Sequence, residues 1–320
     1  MIQLIKKRNL KPCTVYHYQV KKIPLRRSIL MLAGVIVLSW ITVSPAATFK
    51  DALGRTVTLK TPPKRIVSMA PSLTEILYFL GLEDRIAGVT QFSYYPPEAA
   101  QKPNVGSYIN LNAERIVSLN PDLAIGTKDG NKPTTIKLLE KAGIPVYIVN
   151  PRNIEDVIST IYAIGELCGI GKKAKELSTR LGTRVNRICA RTMSLKRPLV
   201  FLQINIKPIM TVNKNTFHHD VIRLAGGDNM ASDEPITYPR ISIEEVMCRG
   251  PDVIIISSME RGGSFERARE EWMKWSSIPA VKKRRVYLIN SDLIDRPSPR
   301  IVKGLETMSR LIHPEVEWGR

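Results

Sequence analysis

From Ile154 to about Met193 the chain runs without a proline, and apolar residues recur through it at three- and four-residue spacing. Ile154, Val157, Ile158, Ile161, Ile164, Leu167, Leu177, Leu181, Val185 and Ile188 carry that stripe, the period of a helix with one buried face. A helix over 153–193 is longer than one small lobe and suits a strut between two, with Gly169-Ile170-Gly171 as the place where it would kink or break. The rest of the fold must therefore be organised on either side of this segment.

Both sides read as α/β. Before the strut, Arg65–Met69, Ile86–Val89, Leu123–Gly126 and Val146–Val149 are short apolar runs with helical stretches between them. After it, Leu199–Ile204, Asp252–Ser257 and Val286–Ile289 repeat the pattern, with helices expected over Thr216–Ala225 and about Ser298–Ile312. Alternating strand and helix argues for parallel sheets covered by helices. The Ser72…Glu75 spacing ahead of Ile76, Leu77 and Leu80 reads as a capping box opening a helix that Gly81 stops.

The halves also echo each other in residues. Asn112-Ala113-Glu114-Arg115-Ile116 leads to Pro121-Asp122-Leu123-Ala124-Ile125, and Ser242-Ile243-Glu244-Glu245-Val246 leads at the same interval to Pro251-Asp252-Val253-Ile254-Ile255. Each is a capping residue, an acidic first turn, a short helix and a Pro-Asp turn into a buried strand. The pattern is either generic helix-to-strand punctuation or the mark of two similar lobes with matching acidic spots. In the second case a ligand belongs in the cleft between them.

Residues 1–27 hold eight Lys/Arg and no acid; an apolar run from Ile29 to Val43 and then Ser44-Pro45-Ala46 follow. Basic, apolar, small-residue order is that of a secretory signal over residues 1–46, cut after Ala46, with an uncleaved anchor as the rival. No cysteine stands at the cut, so a lipoprotein is not expected. Without residues 1–46 the chain keeps 40 basic against 29 acidic groups, a net charge of +11 with no dense basic block. Such a surface is either plain solvated charge or an attraction for an anionic ligand or membrane face, and export argues against nucleic acid. Cys168, Cys189 and Cys248 remain, an odd number without a CxxC pair, and read as buried thiols.

Signatures of catalysis are missing: the sequence has no P-loop, no HExxH and no GxSxG elbow. The only histidine pair, His218-His219, points its rings about 100° apart on a helix and makes a poor chelate, so no metal site is expected. What stands out is aromatic and polar residues in loops next to strands: Gln91–Pro97, Gly106–Asn110, Ile236–Pro239 and Ser291–Arg300. Aromatic side chains there offer flat contact area at low entropic cost, useful against a large ring.

These residues resemble the periplasmic binding proteins that serve cobalamin and iron-siderophore ABC importers, closest to the cobalamin-binding members. The likeness runs from about Arg65 to Leu311. It rests on Ser68-Met69-Ala70-Pro71-Ser72-Leu73-Thr74-Glu75, Tyr95-Pro96-Pro97, Glu114-Arg115-Ile116-Val117 with Pro121-Asp122-Leu123, Phe201-Leu202-Gln203, Gly226-Gly227-Asp228-Asn229 and Ser298-Pro299-Arg300. The resemblance implies an α/β fold of the class III binding-protein kind: a lobe over 47–152, a rigid connecting helix over 153–193 and a second lobe over 194–320. It implies that Phe92, Tyr108 and Tyr238 line the ligand cleft, with Asp292 and Arg296 opposite; a corrinoid held there would set Arg296 or Lys128 near its polar amides or phosphate. Glu114 and Glu244 match paired acids that dock onto arginines of the membrane permease subunits. Tyr108 and Tyr238 stand where cobalamin-binding relatives carry tryptophan, and Thr127 and Ile204 replace further aromatics.

The expected function is capture of a corrinoid, a metal chelate that brings its own metal, by a monomeric periplasmic protein without a resident cofactor. A haem or siderophore ligand is the alternative within the class. An exported α/β metal-dependent hydrolase is the alternative outside it.

Overall fold

The computed structural model describes residues 46–257 and 264–318. The expected leader, apart from Ala46, lies outside the described residues. Ala47, just past the expected cut, opens an antiparallel hairpin of β1 (Ala47–Lys50) and β2 (Thr56–Leu59), which the periodicity does not announce. No helix among the described residues is long and apolar enough to cross a membrane.

The apolar runs form two four-stranded sheets, each parallel throughout. The first contains β3 (Ile66–Ser68), β4 (Ile86–Gly88), β5 (Leu123–Thr127) and β6 (Val146–Val149), in the order β4-β3-β5-β6. The second contains β7 (Leu199–Gln203), β8 (Asp228–Asn229), β9 (Val253–Ile256) and β10 (Val286–Leu288), in the order β8-β7-β9-β10. Counted along the chain, both read 2-1-3-4. Strands buried on both faces need continuous apolar sequence, and β6 and β9 are buried at every residue.

The residue echo has a structural cause. Helix α2 (Ala113–Ser118) precedes β5 and helix α7 (Ile243–Arg249) precedes β9, the third strand of each sheet. The Asn112 side chain accepts from Arg115 N at 2.8 Å, and Ser242 Oγ accepts from Glu245 N at 3.2 Å. After each helix the Pro-Asp aspartate pins the first strand of its sheet: Asp122 accepts from Lys64 N (2.7 Å) and Arg65 N (2.9 Å), Asp252 from Leu199 N (3.1 Å). Cap, acid, helix and strand anchor are thus one device used twice.

The strut differs from the sequence expectation. Residues 154–193 are two helices, α4 (Ile154–Leu167) and α5 (Gly171–Thr192), not one. They run back along each other: Ser178 Oγ donates to Ile158 O at 3.3 Å, and a Cβ on Gly165 would overlap that of Ala174. The reversal sits at Gly169, whose φ of +74° is the left-handed region glycine adopts at helix ends. Helical period alone is indifferent to such a fold-back, because both arms bury the same kind of stripe. The one long helix joining the lobes is α5, about 33 Å at 1.5 Å per residue. Thr192 at its far end donates to Leu224 O of the second lobe at 2.8 Å. One apolar cluster runs from β3 through α4 and α5 to β7 and on to the last helix, α11 (Ile301–Ile312).

Among the described residues Cys168, Cys189 and Cys248 are free thiols. Burial pushes the Cys168 thiol up to about 12, so it is inert at the α4–α5 turn. Cys189 is buried as expected; Cys248 is exposed on α7, contrary to the sequence reading.

Two glycine substitutions test the helix pair. Gly165→Ala should destabilise by about 1–3 kcal/mol through overpacking against Ala174, despite its better helix propensity. Gly182→Ala, in open space on α5, should stabilise by about 0.5–1 kcal/mol. Denaturant midpoints of the two variants should move in opposite directions.

Candidate functional site

In a parallel sheet of order 2-1-3-4 the loops after strands 1 and 3 diverge at the carboxyl edge and leave a crevice. Here those edges belong to β3 and β5 in one lobe and β7 and β9 in the other. The aromatic loops noted in the sequence follow the second strand of the first sheet and the fourth of the second, or lead into α2 and α7.

Helix α1 (Pro71–Phe79) leaves β3 with Ala70 at its N-cap and Pro71 in the first turn. No side chain caps it, so Ser72 and Glu75 are not a capping box. Proline needs no N–H partner there, and the glutamate is left for another task. Glu75, 3% exposed, reaches across to the second lobe. Its Oε1 accepts from Arg296 (3.1 Å) and Arg300 (2.6 Å), and its Oε2 accepts from Arg300 Nε (2.8 Å). Both arginines also lie on tyrosines of the first lobe: Arg296 over the Tyr94 ring at 4.4 Å, Arg300 over the Tyr95 ring at 3.9 Å. Tyr94 donates its hydroxyl proton to Asp292 at 2.7 Å and accepts from Arg296, which donates also to Phe92 O at 3.3 Å. Glu75 and Asp292 together balance the two guanidinium charges, which burial would otherwise penalise.

The structure thus brings together Phe92, Asp292 and Arg296 of the expected set, but Arg296 spends its donors on protein groups. Sequence reasoning missed Glu75, Tyr94, Tyr95 and Arg300 as members of this cluster. The signal is present in the Tyr94-Tyr95-Pro96 loop and the Ser298-Pro299-Arg300 run, which the sequence shows only as motifs. Phe92 is 45% exposed.

Tyr108 lies on Gly130, in the loop after β5, where a side chain would collide with its ring. Buried Asn131 fixes that loop, donating to Met69 O (2.9 Å) and Tyr108 O (2.8 Å) and accepting from Thr127 N (2.7 Å). Lys128, in the same loop, is exposed. From the other lobe Tyr238 is 38% exposed. Burial first, then the Asp129 carboxylate, pushes its phenol above the ordinary range, with Tyr108 and Asp295 adding and Arg152 opposing. The phenol is therefore within electrostatic reach of groups of both lobes, Asp129 and Tyr108 of the first and Asp295 of its own.

His218 belongs to the wall, stacked on Phe217 at 4.1 Å and 3.1 Å from Asp295, which also accepts from Ser257 at 2.9 Å. Gln203, from the end of β7, accepts the Trp272 indole proton at 2.6 Å and is buried. Among the described residues no three His, Cys, Asp or Glu side chains cluster as a metal site would require.

Glu114 and Glu244 occupy the second position of α2 and α7, both exposed. A helix leading into a parallel strand runs against it, so these N-termini lie at the carboxyl, cleft-side rim of each lobe. The Glu244 carboxyl is held below its usual range by its own backbone N–H and then by the Ser242 hydroxyl. It is a fixed anion at neutral pH.

Known proteins share this architecture. An uncharacterized ABC transporter substrate-binding lipoprotein, YvrC of Bacillus subtilis, is 34% identical over 84% of this chain and 86% of its own length. The crystal structure of the periplasmic vitamin B12 binding protein BtuF of Vibrio cholerae superposes with a TM-score of 0.72 at 29% identity, over 79% of this chain and 98% of that one. A periplasmic heme binding protein from Pseudomonas aeruginosa superposes at 0.71 with 28% identity, over 80% and 94%. The sequence pattern of the periplasmic binding protein family matches residues 66–293, and the chain belongs to that family.

Proposed function

We propose that the protein captures a corrinoid between its lobes in the periplasm and delivers it to the membrane permease subunits of an ABC importer. It is a binding protein and not an enzyme, like the family it belongs to: of the histidine pair that a hydrolase would need, His218 bonds to Asp295 and His219 turns to the Asn229 amide. The observation that carries the ligand class is that Tyr238 of the second lobe lies within electrostatic reach of Tyr108 of the first, with Phe92 exposed. Flat aromatic surfaces on two sides of a gap suit a rigid ring system, which loses little conformational entropy on binding. The vitamin B12 binding protein among the solved relatives supports the corrinoid; the heme binding relative supports haem as the second reading, since tyrosines in place of tryptophans leave phenol oxygens in the cleft. Lys128 completes the proposed contacts on the polar side, and Asp292 and Arg296, already joined to Tyr94 and Glu75, border the ligand there.

The remaining features follow the same reading. The ligand's metal travels with it, and the protein holds no cofactor of its own. The leader over 1–46 is removed after Ala46, the absence of a cysteine at that point supports a freely diffusing protein and not a lipoprotein, and the protein acts as a monomer. Nucleic acid is not a partner. Glu114 and Glu244, equivalent in the two lobes, meet basic groups of the two permease subunits.

Calorimetric titration with cobalamin tests the ligand. Binding at low micromolar concentration or tighter is expected, weakened about tenfold, or about 1.4 kcal/mol, by Tyr238→Ala. No heat at tens of micromolar removes the corrinoid. For docking, Glu114→Lys and Glu244→Lys should each abolish most uptake while leaving ligand affinity unchanged. An equal loss of affinity would move these acids into the cleft.

A further inference from the structure

A cavity of about 440 Å³ opens at the hinge end of the cleft. One wall is Arg152 and Asn153, in the crossover from β6 to α4. The other is Lys214, Asn215 and Thr216, leading into α6 (Phe217–Leu224), with His219, Asp220 and Thr237 behind. The volume is far more than the roughly 30 Å³ that one water occupies. None of its lining side chains is apolar, unlike the usual ligand pocket with its aromatic walls.

The charges in it do not cancel locally. Asp220 is the acid of the lining, and both its oxygens are engaged: Oδ2 by Ile154 N at 3.0 Å, Oδ1 by Arg223 at 2.7 Å. Arg152 turns two of its five N–H donors to exposed Asp129, at 2.7 Å, and keeps the others. Lys214 is exposed and joins no ion pair among the described residues. His219 accepts from the Asn229 amide at Nδ1, 3.4 Å away, which leaves Nε2 as its N–H donor. The two helix ends are not the attraction, since Asn153 and Thr216 already cap them at 2.7 and 3.2 Å. What is left over is cationic and donor-rich side chains around a space of several water volumes.

We infer that this cavity is an oxyanion subsite of the cleft, which takes a phosphate or carboxylate carried by the ring ligand. Its place in the cleft rests on the proposed function, but its chemistry does not. Lys214 supplies the point charge, and Arg152 and His219 supply directed donors. The shape of the site would then select ligands with a charged arm over the bare ring.

Inorganic phosphate probes the subsite without reference to any ring. In an NMR titration the His219 imidazole resonances should shift and saturate at millimolar phosphate, and Lys214→Glu, at an exposed position with the fold checked by circular dichroism, should weaken this at least tenfold. No shift, or an equal shift in the variant, overturns the inference. Cobalamin compared with cobinamide, the corrinoid without its phosphate-bearing nucleotide arm, then identifies the source. A preference for cobalamin that Lys214→Glu removes assigns the anion to that phosphate. Phosphate binding with no affinity for either corrinoid upholds the subsite and overturns the corrinoid reading alone.

Discussion

The Glu75 carboxylate lies between two arginines that the chain places more than two hundred residues away, and the arrangement of the lobes depends on that contact. Three hydrogen bonds to one buried carboxylate are strong individually, since both sides are charged. Removing it would leave Arg296 and Arg300 half-enclosed with only Asp292 to balance them, which for buried pairs costs about 3–5 kcal/mol. The tyrosines beneath the guanidinium groups add cation–π attraction and screen the cluster from water. The lobes therefore meet directly at this latch, while α4 and α5 form the hinge that connects them. The space for a ligand is what remains between a latch and a hinge.

This arrangement explains how two tyrosines carried on loops of different lobes come within electrostatic reach of each other. Tyr108 is fixed by Asn131 and Gly130, and Tyr238 by its loop, where Thr211 N and Asn213 N donate to Pro239 O and Thr237 O, each at 3.0 Å. The gap between them is set by the latch and hinge and not by either loop alone. A rigid ring matches a gap of fixed width better than a flexible ligand does, because little ordering remains to be done on binding.

Much of the fold is legible in the sequence because its signals are local. Buried parallel strands need unbroken apolar runs, and Pro121-Asp122 and Pro251-Asp252 mark the same strand anchor twice. The strut is legible only in part: apolar spacing specifies a helical face, but nothing in the period says that Gly169 reverses the chain and sets α4 against α5. Glu75 misleads for a related reason. Ser72 and Glu75 have capping-box spacing, yet the carboxylate's partners are remote in sequence and the proline at the first turn makes a side-chain cap unnecessary. The resemblance puts Arg296 in the cleft, but its engagement with Glu75 and Tyr94 spans some two hundred residues and leaves no local trace. The hinge cavity has no sequence signal at all, because separate segments of both halves build it.

The direct test of the latch is the distance between the lobes in the ligand-free protein. Spin labels at exposed Leu138→Cys and Met273→Cys, with exposed Cys248 replaced by serine, report it by double electron–electron resonance. A single narrow distance distribution that broadens and lengthens in Glu75→Gln is the expected result. A distribution left unchanged by Glu75→Gln would show that the carboxylate does not hold the lobes together.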